Sequence, residues 1–98
     1  MFVKIHKSYR TVVAICDSNL IGKKFEEKKR QLDIREGFYK DKEVDREGLI
    51  EIIKRQVMED ASFNIVGKES ISTALKAGII DKEGIKTIQN IPFALVLI

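Results

Sequence analysis

Several residue types are scarce in this 98-residue chain, which has no tryptophan and only one proline, one cysteine and one histidine. A lone cysteine cannot form an internal disulfide, which fits a reducing compartment. One histidine and one cysteine cannot make up a zinc ligand set, and no cofactor motif is present, so we expect neither metal nor cofactor. With so little proline and only 6 glycines, a disordered or linker-rich chain is excluded.

Long apolar runs are also lacking, since none approaches the roughly 20 residues needed to cross a bilayer. The chain opens directly on a strand-like pattern at Met1–His6, without the apolar segment and cleavage site of a signal peptide. These observations predict a cytoplasmic protein without a membrane partner.

What is present is the composition of an ordinary globular protein, with 44% hydrophobic and 34% charged residues. This length supports one hydrophobic core, and we expect residues 1–98 to form a single domain. Isoleucine is frequent and lysine and glutamate dominate the charges, a bias typical of proteins from high-temperature organisms. The net charge of +3 arises entirely in residues 1–49, with 12 basic against 9 acidic side chains, whereas residues 50–98 balance at 6 and 6.

The first half predicts mostly strands. Phe2–His6 and Arg10–Asp17 favour an antiparallel hairpin, and the unbroken apolar run in the second indicates a central strand covered on both faces. Residues 20–31 are ambiguous, because propensity favours a helix while Phe25 alone would give it something to bury, so a polar loop or exposed hairpin competes. Residues 31–35 alternate like a short strand.

The aromatic pair at Phe38 and Tyr39 is predicted to anchor the chain, with Phe38 in the core and Tyr39 at the rim. The second half predicts two helices, one over 45–60 capped by Asp45 and one over 68–77 between two glycines. A strand over 63–66 and two final strands over 85–89 and 93–98 complete the set. The last strand is so apolar that it must be covered on both faces, by the sheet or by a partner.

Together these elements predict an α+β domain of two layers. We expect a mixed, mostly antiparallel sheet of five or six strands with two helices against it. Asn90–Pro92 is expected to connect the last two strands, since proline cannot donate to a strand ladder.

The sequence resembles the archaeal family called domain of unknown function 424 along essentially its whole length. The resemblance is most specific in the block Asn-Ile-Val-Gly at 64–67, and it departs at Phe93, where the family pattern Gly-Val-Pro-His-Ala has histidine. The other matching positions are Ala14, Cys16, Asp17, Leu20, Gly22, Phe25, Leu32, Phe38, Tyr39, Ser70, Ile71, Ala74, Gly78–Asp81, Ile88 and Pro92. The resemblance implies no established activity, but some members are labelled RNA-binding, and the family is similar in size and distribution to archaeal translation-associated proteins.

Catalytic chemistry finds little support in the sequence. His6 has no serine or cysteine partner at a meaningful spacing, and no nucleophile elbow, phosphate loop or metal motif is present. Asp17 and Asp33 form a pair of carboxylates only if the fold brings them together. The sequence therefore favours a non-enzyme, with an enzyme using those two carboxylates as the third hypothesis.

Nucleic-acid binding has two candidate sites. The first combines basic side chains, which bind phosphate, with an aromatic ring that stacks on a base; its residues are Lys23, Lys24, Lys28, Lys29, Arg30, Arg35 and Tyr39. The alternative for the first is an ordinary solvated surface, because Glu26 and Glu27 interrupt the basic run. The second is an anion site at Gly67, Lys68 and Ser70, where a helix start leaves backbone N–H groups free. The alternative for the second is that Gly67 only makes the turn, with Glu69 satisfying the helix dipole.

The leading hypothesis is a non-catalytic protein that binds RNA or the ribosome through the first-half basic cluster. The alternative is a protein–protein adaptor or homo-oligomer that uses the apolar C-terminal strand or an exposed sheet edge. The two differ in what they require, because only the second depends on the last six residues.

Overall fold

The computed structural model of the protein describes residues 1–97. The first-half elements are β1 (Phe2–Lys7), β2 (Thr11–Cys16), β3 (Lys24–Glu27), β4 (Arg30–Asp33), α1 (Glu36–Tyr39) and β5 (Lys42–Glu43). The second-half elements are α2 (Arg46–Met58), β6 (Ser62–Val66), α3 (Lys68–Ala77), β7 (Lys86–Ile88) and β8 (Ile91–Val96). Short 3₁₀ turns at Ser18–Leu20 and Lys82–Gly84 follow β2 and precede β7.

The main sheet has six strands in the order β5-β1-β2-β6-β8-β7, and β3 and β4 form a separate pair. Strands β2 and β6 are parallel, and every other neighbouring pair is antiparallel. The predicted α+β fold with a mixed, mostly antiparallel sheet is confirmed. The structure adds the short helix α1 to the two helices predicted.

Strand β2 lies at the centre of the sheet and has apolar side chains on both faces. Val13 and Ile15 point into the core beneath α2 and α3, whereas Ala14 and Cys16 point into a second core on the opposite face. All four are fully buried. The prediction of a central strand covered on both faces is therefore confirmed.

The second core is covered by the β3–β4 hairpin and α1, which settles the ambiguity over residues 20–31 in favour of the exposed hairpin. Phe25 lies opposite Leu32 across the hairpin, and both pack against this core, while Ile34 is fully buried beneath it. A helix does not form because alternation, with a period of two, brings these apolar side chains to one face.

Both long helices are confirmed at their caps. The Asp45 side chain accepts a hydrogen bond from the Gly48 N–H at 2.8 Å, which fixes the start of α2. Gly78 ends α3 in the left-handed conformation, with φ of 80°. Among the described residues, no helix is long and apolar enough to cross a membrane.

Two local predictions are wrong. Tyr39 is buried at 6% exposure while Phe38 is half-buried, because α1 turns the Tyr39 ring into the second core. The turn between β7 and β8 is Gln89–Asn90, both at positive φ, and Pro92 lies inside β8. Proline has no N–H to donate to the neighbouring strand at this position. The Gly67 carbonyl, which would have accepted that hydrogen bond, accepts one from the Ile71 N–H in α3 instead, so the strand accommodates Pro92.

The last strand is less covered than predicted. Leu95 is 59% exposed and Leu97 is 79% exposed, because the β3–β4 hairpin covers only the earlier part of β8, at Ile91 and Phe93. The described chain leaves most of both leucines exposed, so coverage by a partner is the remaining form of that prediction. Ile98 lies outside the described residues.

Burial also predicts how Cys16 reacts. Desolvation, with a smaller effect of the neighbouring Asp17 charge, raises the pKa of the Cys16 thiol from 9.0 to about 12. We expect alkylation by iodoacetamide at pH 8 to be roughly a thousandfold slower in the folded protein than in denaturant, because only the thiolate reacts. Mass spectrometry of timed samples measures this ratio, and comparable rates in the two states would contradict the buried placement.

Candidate functional site

The predicted basic cluster lies mainly on the β3–β4 hairpin, and its lysines and arginines are all exposed. Two of these cations are already paired with a neighbour. Lys24 lies 3.8 Å from Glu26, and Arg35 lies 2.9 Å from Asp33. Exposed pairs of this kind contribute about 0–1 kcal/mol, so a phosphate group competes readily for them.

The tip of the hairpin carries Lys28 and Lys29 side by side. Neither makes an ion pair with another described residue. Lys28 has a φ of 58°, in the left-handed region that glycine or asparagine normally occupies. The turn therefore holds a lysine where local conformation favours a smaller residue.

Tyr39, the aromatic member of the predicted set, does not join this surface. Its ring packs with Cys16 and Ile34 in the second core. Burial, assisted by the nearby Cys16 and Asp33, raises the pKa of Tyr39 to about 12. A buried ring cannot stack on a base, so we remove Tyr39 from the candidate nucleic-acid contacts.

The second predicted site, at the start of α3, already holds an anionic group from the same chain. Asp17 is buried at 7% exposure, and its carboxylate accepts from the Ser70 N–H at 2.8 Å and the Ser70 hydroxyl at 2.7 Å. The Glu69 N–H donates to the other carboxylate oxygen at 3.1 Å. The backbone donors and hydroxyl that were predicted to hold an external anion thus hold Asp17.

Gly67 makes this arrangement possible. Its φ is 109°, and a Cβ built at this position would lie 2.3 Å from Cγ of Asp17. The carboxylate occupies the space that any side chain at 67 would need. The alternative reading, in which Gly67 serves the turn, matches this geometry, with Asp17 in the role predicted for Glu69. Lys68 is exposed beside it.

The candidate catalytic residues His6, Asp17 and Asp33 each make hydrogen bonds to other residues of the chain. His6 donates from Nε2 to the Phe38 carbonyl at 2.8 Å and stacks on the Phe38 ring at 4.6 Å between centroids. Asp33 bonds to Arg35, and Asp17 caps α3. Within residues 1–97 no group of histidine, cysteine or acidic side chains is placed to hold a metal ion.

A groove that the sequence did not predict lies beside β8, and we call it the edge groove. It has a volume of about 390 Å³ and is lined by Arg30, Gly84, Lys86, Phe93, Ala94 and Leu95. The Arg30 guanidinium lies 5.7 Å from the centre of the Phe93 ring, a cation–π distance. Recognising Gln89–Asn90 as the turn would have placed Lys86 opposite Phe93 from sequence, as the ladder does.

Comparison with known proteins identifies the family. Residues 6–98 match a family described as "Protein of unknown function (DUF424)". The chain belongs to the DUF424 family. The fold is also similar to a crystal structure of an uncharacterized conserved protein from Methanopyrus kandleri, with 26% identity and a TM-score of 0.86 over 97% of this chain and 88% of that one. No curated protein matches.

The Asp17–Gly67 arrangement predicts strong energetic coupling between these residues. We expect Asp17→Ala to lower the free energy of unfolding by about 2–4 kcal/mol, because it leaves the buried Ser70 donors without an acceptor. Gly67→Ala alone should lower the free energy of unfolding by about the same amount. In the Asp17→Ala background it should lower it clearly less, because the carboxylate that clashes with the new Cβ is gone. Denaturant unfolding of the two single variants and the double variant gives the coupling energy.

Gly37→Ala is the matched control, because a Cβ at Gly37 meets nothing within 4 Å. Gly37 also lies in α1, where alanine is favoured over glycine, so we expect no loss of stability. Additivity of the Asp17 and Gly67 effects within about 0.5 kcal/mol would show that the two residues do not interact.

Proposed function

We propose that this DUF424 protein is a non-catalytic RNA-binding protein, acting on structured RNA either free or within the ribosome, through the β3–β4 hairpin. The observation that carries the proposal is the pair of exposed, unpaired lysines at the hairpin tip. Lys23, just before β3, and Arg30, just after the tip, are also exposed and have no ion-pair partner among the described residues. Lysine contacts to phosphate supply affinity that depends steeply on salt and little on sequence.

The position of Lys28 supports this assignment. A non-glycine residue in the left-handed region costs on the order of 1 kcal/mol. Glycine at this position would relieve the strain, and no other part of the described chain needs the Lys28 side chain for packing, since it is exposed. Two-residue hairpin turns require positive φ, so the strain follows from the turn, and what supports RNA binding is the exposed charge that Lys28 carries there.

The hairpin also presents its cations on a rigid support. Phe25 and Leu32 fix its inner face to the second core, and Gln89 donates from its N–H to Glu27 at 2.7 Å and from its side chain to the Glu26 carbonyl at 2.6 Å. Rigid presentation lowers the entropy lost when RNA binds.

The first test reverses the charge at the tip. We expect the double variant Lys28→Glu, Lys29→Glu to weaken binding of fluorescent ribosomal RNA fragments about tenfold or more at low salt, and to reduce the slope of log affinity against log salt by about two. Fluorescence anisotropy at several salt concentrations measures both quantities.

The control for this test is Lys54→Glu, Lys76→Glu, which makes the same charge change on α2 and α3, across the sheet from the hairpin. Equal losses in the two double variants would indicate a response to net charge alone. The absence of saturable binding by the wild-type protein at low salt would remove the proposal.

A second test separates the strain at Lys28 from its charge. We expect Lys28→Gly to raise the free energy of unfolding by about 0.5–1 kcal/mol, because it removes the left-handed lysine, while weakening RNA binding. Lys29→Gly should lower stability by a similar amount and weaken RNA binding to the same degree, since Lys29 is not at positive φ. Thermal and denaturant unfolding would contradict this expectation if both glycines acted alike on stability.

A further inference from the structure

The outer edge of β8 lacks a neighbouring strand over its second half. β7 pairs with β8 at only three positions, from Lys86 opposite Phe93 to Ile88 opposite Ile91. β8 itself continues to Val96 and remains paired with β6 on its other side. Beyond Phe93, no described strand pairs with this edge of β8, and Gly84, from the turn before β7, lines the groove beside it.

The direction of the backbone groups follows from one hydrogen bond. Gly67 donates its N–H to the Pro92 carbonyl at 2.8 Å, so the Pro92 backbone faces β6. In an antiparallel ladder both backbone groups of a residue face the same side, and successive residues alternate. The N–H and carbonyl of Leu95 thus face the open edge, where an added strand would pair with them.

The edge groove beside this strand has a definite charge. Arg30 and Lys86 line it, no acidic side chain does, and neither cation forms an ion pair with another described residue. Lys86 lies directly opposite Phe93, and Leu95 is two residues farther along, so all three project from the same face of the sheet. An apolar contact and a positive charge therefore alternate along one face.

We propose that this edge binds an extended segment of a partner protein, which adds as a strand beside β8 and carries acidic and apolar side chains alternately on one face. Its backbone pairs with Leu95, its apolar side chain packs on the exposed Leu95 side chain, and its carboxylate lies near Arg30 and Lys86. Charge complementarity selects this occupant over a second copy of the chain, because pairing two β8 edges would bring two positive grooves together.

The test uses a synthetic, fluorescein-labelled octapeptide with threonine at odd positions and glutamate and valine alternating at even positions. We expect saturable binding by anisotropy, at least tenfold weaker binding when lysine replaces glutamate, and no binding when the central amides are N-methylated. N-methylation leaves the side chains unchanged and removes the donors that strand addition requires.

Variants of the protein locate the site. Lys86→Glu should weaken binding of the glutamate peptide at least fivefold and strengthen binding of the lysine peptide. Lys54→Glu on α2 should change neither affinity. Leu95→Asp provides a second variant on the same edge, and circular dichroism checks that each variant is folded. Neither Lys86 nor Leu95 belongs to the hairpin surface proposed for RNA, so these variants test the edge separately from RNA binding.

Two results would overturn this inference. One is equal affinity for the glutamate and lysine peptides, or binding that survives N-methylation. The other is a concentration-dependent dimer by light scattering that Leu95→Asp abolishes, which would assign the edge to a second copy of this chain.

Discussion

The hydrogen bonds of Asp17 join the two halves of the fold, and the rest of the structure depends on them. β2 and β6 are parallel neighbours, so their carboxyl ends emerge at one edge of the sheet, with Asp17 after one and Gly67 after the other. The backbone continues the same junction, since the Asp17 N–H donates to Val66 at 3.0 Å. A carboxylate at the start of α3 satisfies donors that would otherwise be buried without a partner.

The apolar character of both faces of the sheet explains the β3–β4 hairpin. Helices α2 and α3 cover one face, and the other would remain open to water without the hairpin and α1. Alternation along β3 lets the same strand perform two tasks, because Phe25 faces the core while Lys24 faces solvent. Core coverage and a charged, solvent-facing surface thus come from successive residues.

Local signals in the sequence were sufficient where the structure is local. The caps at Asp45 and Gly78 predicted both long helices, and the apolar run of β2 predicted its burial. The parallel pairing of β2 with β6 joins residues about fifty positions apart, and no local pattern encodes it, so the contact between Asp17 and Ser70 was not predicted. Tyr39 was misplaced for a related reason, since the direction of its ring depends on α1, a single turn whose helical pattern is too short to recognise.

Arg30 links the two proposed binding surfaces. It follows the hairpin tip in sequence, and its guanidinium lies over Phe93 in the edge groove. The position of the hairpin therefore sets the charge of the groove, and the hydrogen bonds from Gln89 to the hairpin hold that position. Since those bonds are exposed, each contributes only about 1 kcal/mol. Any coupling between the two proposed surfaces through these hydrogen bonds has a free energy of the same small size. We therefore expect a ligand at one surface to change the affinity of the other only slightly.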